Sequence, residues 1–132
     1  MRLPLAAVAF ICVLRAMPGS AQTITDGDTI RLNGAPIRLY GIDAPELKQS
    51  CSDGWPAGRL AATHLQSLIA GRNVSCERRI TDHYGRTVAV CRTGGEDLGA
   101  IMVRDGYAWA FVRYSSDYVG QEYPSAEDRL YD

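Results

Sequence analysis

The chain is nearly without lysine: Lys48 is the only one, and the other 13 of its 14 basic residues are arginine. Histidine is scarce too, with only His64 and His83, and no Cys/His cluster has the spacing of a zinc site. Excess positive charge is missing too, since 14 basic side chains face 15 acidic ones for a net charge of −1. That excludes the broad basic surface of a duplex-coating DNA binder, so any contact with nucleic acid must be local. The long apolar run, Leu3 to Leu14, is too short to span a bilayer. No internal repeat, low-complexity segment or second domain is visible, and 132 residues are enough for one domain.

What is present begins with that apolar run. "MRLPLAAVAFICVLRAMPGSA" has a positive start at Arg2, an apolar core and a small-x-small pattern at Gly19 to Ala21. It reads as a signal peptide over residues 1–21, with the mature domain over 22–132. Small residues do not precede Cys12, which argues against a lipid anchor there. Cleavage after Ala21 removes Arg2 and Arg15, leaving 12 basic against 15 acidic side chains, a net charge of −3. It also removes Cys12 and leaves Cys51, Cys76 and Cys91, and three cysteines of an exported chain make one disulfide. The expected location is secreted or periplasmic, with no stable membrane association after cleavage and a monomeric state. The arginine excess suits fixed, bidentate contacts with phosphates or carboxylates. A compositional bias of the genome produces the same excess.

Hydrophobic patterning gives a coarse order of several short strands, helix, hairpin, helix, strand. "ITDGDTIRL" reads as a turn or bulge at Asp26-Gly27-Asp28 followed by a half-buried strand. Asn33-Gly34 is a strong hairpin signal, and "PIRLYGI" is the return strand, with Ile37 and Leu39 on one face and Arg38 and Tyr40 on the other. After a loop, Leu60, His64, Leu65, Leu68 and Ile69 fall at helical spacing between Pro56 and Gly71. A histidine on or beside that stripe is a core or boundary residue before it is a catalytic one.

"NVSCERRI" and "TVAVCR" form a hairpin around "TDHYGR". Pairing Ile80 with Thr87 sets Cys76 opposite Cys91, close enough for a disulfide after small adjustment. Cys51 then stays outside the pair. A second helix is expected from Asp97, a good N-cap, to Gly106, and "YAWAFVRY" reads as a last strand. The whole suits a mainly β, α+β domain: a five-stranded, closed or nearly closed barrel with packed helices.

Charge gathers in three segments at strand ends and turns: "DGDT", "RLYGIDAPE" and "TDHYGR". Asp28, Asp43 and Glu46 offer hard oxygen donors, which suit Ca²⁺ or Mg²⁺. Arg38 and Arg86 can each hold phosphate oxygens in a bidentate fork. A metal, a carboxylate base and two arginines are the parts needed to hydrolyse a phosphodiester. Taken singly the signals are weak, because "DG" is mostly a turn and an exposed Arg–Glu pair is mostly a salt bridge worth under about 1 kcal/mol.

Together the segments resemble the thermonuclease, or staphylococcal nuclease-like, family of exported bacterial type. The resemblance runs from about Ile24 to about Tyr118, through the three segments above and "LGAIMVRDGYAWA". It implies an OB-fold barrel with helices and a Ca²⁺-dependent phosphodiesterase acting on DNA and/or RNA, single-stranded or frayed. By that resemblance the metal carboxylates are Asp28 and Asp43, with the backbone carbonyl of Ala44 as a further ligand. Glu46 is the general base that holds the attacking water, and Arg38 and Arg86 are the phosphate-binding arginines. Asp82 and Tyr84 match the family's "DxYGR" turn, and Tyr84 with Tyr114 lines the nucleotide pocket.

Three departures stand out. His83 replaces a residue that is often basic, so substrate affinity should depend on pH near the histidine's titration range. Ala57 stands where exported relatives often carry a second cysteine in the "WPxG" loop. The expected C-terminal helix is short, which would reduce stability. Two alternatives to a nuclease remain: a catalytically silent OB-fold module that binds nucleic acid or protein, and a non-enzymatic envelope or export-pathway protein with a vestigial metal site. Fold alone does not separate them.

Overall fold

Asn33 and Gly34 both take positive φ, 51° and 83°, and this fixes the first hairpin. Two left-handed residues in succession make the tight turn whose twist matches that of the flanking strands. The computed structural model describes residues 21–111. The expected signal peptide, apart from its last residue, lies outside the described residues, as do Tyr114 and the C-terminal tail. Strands β1 (Gln22–Asp26), β2 (Thr29–Leu32), β3 (Ala35–Leu39) and β4 (Ile42–Asp43) precede helix α1 (Ala57–Ile69). Strands β5 (Ser75–Thr81), β6 (Thr87–Thr93) and β7 (Glu96–Asp97) lead to helix α2 (Leu98–Arg104) and strand β8 (Trp109–Ala110).

The five longer strands hydrogen-bond in the order β1-β2-β3-β6-β5, with β7 paired to β6, and β4 and β8 form a separate two-stranded sheet. The five-strand count and the α+β class match the sequence reading. Among the described residues no pairing joins β1 to β5, so the strand set is open rather than closed. The β3–β6 contact is parallel and aligns Ile37 with Thr87 and Arg38 with Val88. On the other side of β3, Thr29 opposes Arg38. Asp28 and Arg86 therefore each lie one residue beyond a strand end, on either side of Arg38.

Cys76 faces Cys91 across the β5–β6 hairpin, and the two form a disulfide. The register that places them together is not uniform. Ile80 faces Val88 and Thr81 faces Thr87, because β5 bulges between Arg78 and Ile80. The expected Ile80–Thr87 pair is thus off by one residue. The extra residue is taken up before the cysteines, whose pairing is as expected. The bridge closes a 15-residue separation, which in the chain-entropy picture contributes about 3 kcal/mol.

Helix α1 buries Ala57, Gly58, Ala61, Ala62, Leu65 and Ile69. The buried stripe thus begins with small residues, whereas Leu60, His64 and Leu68 are only partly buried beside it. Small side chains let this end of α1 approach the β1–β2 connection closely. A Cβ on Gly27 would lie 2.7 Å from the Ala61 Cβ and 2.9 Å from the Ala44 Cβ. The glycine in "DGD" is therefore demanded by packing. His64 sits at the helix boundary, with Nε2 2.8 Å from Asp105 Oδ2 and its ring stacked on Tyr107.

Asp97 caps α2 as expected, its side chain accepting from the Ala100 N–H. The core between sheet and helices contains Ile30, Leu39, Ile42, Leu65, Leu98 and Met102, each at most 2 % exposed. None of the helices among the described residues is long and apolar enough to cross a membrane.

Candidate active site

Arg38 is the centre of the site. It leaves β3 with Asp28 on one side and Asp43, just past the Gly41 bend, on the other. Its Nη1 lies 2.6 Å from Asp28 Oδ2, and its Nη2 lies 3.2 Å from both Asp43 Oδ1 and the Ile42 carbonyl oxygen. One guanidinium thus spans the two carboxylates. Asp28 is further held by two donors, the Thr29 hydroxyl to Oδ1 at 2.9 Å and the Ala44 N–H to Oδ2 at 3.0 Å. Ala44 faces this site through its N–H.

A cleft of about 510 Å³ opens over these groups. Asp28, Arg38, Asp43, Glu46, His83 and Arg86 all line it, so the three charged segments of the sequence converge on one space. Arg86 comes from the β5–β6 turn. Asp82 shapes that turn, accepting from the Tyr84 N–H at 3.0 Å and the Arg86 N–H at 2.8 Å through Oδ1. Its Oδ2 receives Arg86 Nε at 2.7 Å. Among the described residues no further ion pair engages this guanidinium, which leaves its terminal nitrogens open to a ligand.

His83 lies in the cleft wall. Tyr84 is 74 % exposed outside that wall, against the His83 ring and with Arg86 over its own face. Tyr114 lies outside the described residues.

Glu46 is exposed at the cleft edge and makes no ion pair among the described residues. Its backbone is fixed instead. The Glu46 N–H donates to Gln49 Oε1 at 3.1 Å, and its carbonyl accepts from the Gln49 N–H at 2.8 Å. The first turn of α1 presses on the same carbonyl. A Cβ on Gly58 would overlap the Glu46 oxygen outright. Gly58 also donates its N–H to the Gln49 carbonyl at 2.9 Å. Sequence reasoning did not single out Gly58, although the "WPAG" that carries it was visible.

Asp26 was missed as well. It lines the cleft, and its Oδ1 accepts from the Asp28 N–H at 3.2 Å. Burial, then the hydrogen bond and charge of Asp28, push its carboxyl up to about 7. Burial also acts against Asp28, but the Asp26 hydrogen bond and the Arg38 charge outweigh it and hold Asp28 below the usual carboxylate range. Asp43 is raised by burial and by the Asp28 charge, against the opposing pull of Arg38. The signal is two acids spaced by one glycine, which the sequence pattern presents as a turn or bulge.

These shifts set a pH dependence. A carboxyl raised in the folded state holds its proton more tightly there, so Asp26 costs nothing below its ordinary 3.8. The cost grows as pH rises toward about 7 and is constant above that. Asp43 acts in the same sense. Asp28 does the opposite, contributing stability that is lost only as pH falls below the ordinary carboxylate range. With a chelator present, Asp26→Asn should therefore flatten the stability profile between the ordinary 3.8 and about 7. After discounting for solvent screening of this half-buried group, the gain at pH 8 should be about 1–2 kcal/mol. Urea titrations across pH test this, and a variant profile parallel to the parent's would exclude it.

The donor set fits a hard divalent cation on charge and chemistry. Asp26, Asp28 and Asp43 bring up to three negative charges to a place where Arg38 supplies one positive charge. All their donor atoms are carboxylate oxygens, the type that suits Ca²⁺. Among the described residues no three acidic, His or Cys side chains already form a cage, since the guanidinium sits between the carboxylates.

Several known proteins are similar to this chain over most of its length. An uncharacterized endonuclease of Escherichia coli O157:H7 is 36 % identical over 104 residues, covering 75 % of this chain and 64 % of its own length. An uncharacterized endonuclease of Haemophilus influenzae is 34 % identical over 99 residues, 71 % of this chain and 52 % of its own. A micrococcal nuclease of Shigella flexneri is 33 % identical over 118 residues, 80 % of this chain and 64 % of its own. The chain thus spans between about half and two thirds of these curated relatives. The family model for staphylococcal nuclease homologues matches residues 36–129, most of the chain. With that match, and with an OB-like α+β architecture around the cleft, the chain belongs to the staphylococcal nuclease homologue family.

Proposed function

We propose that the protein is a calcium-dependent nuclease that hydrolyses phosphodiester bonds of DNA and/or RNA, acting on single-stranded or frayed substrate. The observation that carries this reading is the convergence of Asp28, Asp43, Glu46, Arg38 and Arg86 on one cleft. Family membership and relatives named as endonucleases and a micrococcal nuclease support it.

In this reading Asp28 and Asp43, with the Ala44 carbonyl, hold Ca²⁺. The bound ion supplies charge stabilisation at the phosphate oxygens. Arg86 reaches the phosphate with its terminal nitrogens, while Asp82 keeps the Nε edge in place. Arg38 lies at the carboxylates and turns to the phosphate when substrate enters. Glu46, free of ion pairs among the described residues, takes the proton from the attacking water. His83 and Tyr84, with Tyr114, contact the nucleotide. The chain acts outside the cytoplasm, consistent with a Cys76–Cys91 disulfide.

The test is incubation of the full-chain product with single-stranded DNA and with RNA, each with calcium and with a chelator. Cleavage of at least one substrate, abolished by the chelator, is expected. A folded sample that cleaves neither would end the nuclease reading and leave the silent binding module.

A further inference from the structure

The bulge in β5 isolates one arginine. Arg78 pairs with Ala89 and Ile80 with Val88, which leaves Arg79 without a partner in the register. Bulges redirect a side chain at a sheet edge, and β5 is the end strand of the sheet. Here the bulge turns the Arg79 guanidinium over the Tyr40 ring, 5.8 Å from its centroid. Tyr40 is itself half-buried and lines the cleft, as do Ile80 and Thr81, the residues that follow Arg79. Arg79 is exposed and makes no ion pair among the described residues. Ile80 beside it is 44 % exposed.

We propose that Arg79, held by Tyr40, is a phosphate contact for the strand leaving the cleft, with exposed Ile80 as an apolar rest for a flanking base. This deepens the nuclease reading and rests on it. The aromatic face restrains the cation without neutralising it, unlike Arg92, which lies 3.8 Å from Glu77 on the same hairpin. A charged, restrained guanidinium beside an exposed apolar side chain matches how sequence-tolerant sites track single strands, by backbone charge and base contact. The position lies on the edge strand, separate from the turn that carries His83, Tyr84 and Arg86. It therefore serves nucleotides beyond the reacting one, making Arg79 a determinant of preference for longer strands.

The experiment measures affinity for oligothymidylates of two and of eight nucleotides, in the Glu46→Gln background with a chelator present, so that binding is read without turnover. Arg79→Gln should weaken eight-nucleotide binding about five- to ten-fold. It should also reduce the magnitude of the salt slope by about 0.7, the value for one phosphate on a single strand. Dinucleotide binding should be unchanged. Tyr40→Phe, which keeps the ring, should behave as the parent, and Tyr40→Leu should lose part of the eight-nucleotide affinity. Equal losses for both lengths, or an unchanged salt slope, would show the cation–ring contact to be structural and overturn the proposal. A parent protein that binds neither length, with calcium as well as with the chelator, would overturn the nuclease reading along with it. Binding of both lengths with no effect of Arg79→Gln would overturn only the role of Arg79.

Discussion

Glu46→Gln should lower kcat about 10³-fold while leaving oligonucleotide affinity and folding nearly unchanged. Glutamine keeps the shape of glutamate and removes its ability to take a proton, and general-base catalysis contributes roughly 10²–10⁴-fold. Stability should hold because the Glu46 side chain is exposed and makes no ion pair among the described residues. The hydrogen bonds that place it run through its backbone to Gln49, and the substitution does not touch them. A loss confined to kcat marks an interaction made only in the transition state. Steady-state kinetics, a binding titration and a urea melt on the same preparation separate the cases. Full activity in the variant would remove Glu46 as the base. A parallel loss of stability would instead make it a structural residue.

How legible these roles are in the sequence depends on whether they are carried by local chemistry or by approach in space. Asn33-Gly34 and Asp97 were readable because turn and cap preferences act over two to four residues. Arg38, Asp43 and Glu46 stood out because one strand and its bend present them within nine positions. The small stripe of α1 was not readable in the same way. Alanine and glycine contribute little to an apolar pattern, so the periodicity favoured Leu60 and Leu68 over Ala57 and Ala61. The bulge at Arg79 was hidden for a different reason. A hairpin register counted from the turn assumes one residue per partner, and the cysteine pairing hides the slip because it lies on the far side of the bulge. The strands β4, β7 and β8 are two residues each, too short for any alternation to show. Asp26 reads as turn chemistry because the burial that, together with Asp28, raises its proton affinity does not show in the local sequence.

The approach of α1 to Glu46 has the second large consequence. Gly58→Ala should cost more than about 3 kcal/mol in stability and, in whatever folds, about 100-fold in kcat. The added methyl would occupy the space of the Glu46 carbonyl oxygen and lie within 3 Å of the Glu46 and Leu47 carbonyl carbons. All three are backbone atoms, so no side-chain rotation relieves the overlap. Either the first turn of α1 withdraws or the Glu46 segment moves outward. The first breaks the Gly58 N–H bond to the Gln49 carbonyl and loosens the packing of Ala61 near Gly27. The second displaces the base from the cleft, where a shift of about 1 Å is enough for a loss of that size. Oligonucleotide affinity should fall much less, because Arg38 and Arg86 are placed by β3 and the Asp82 turn, not by α1. A thermal melt gives the stability change, and kcat corrected for the folded fraction gives the rest. Unchanged kcat in a destabilised variant would mean that the helix yields and that Glu46 is placed by the Gln49 turn alone.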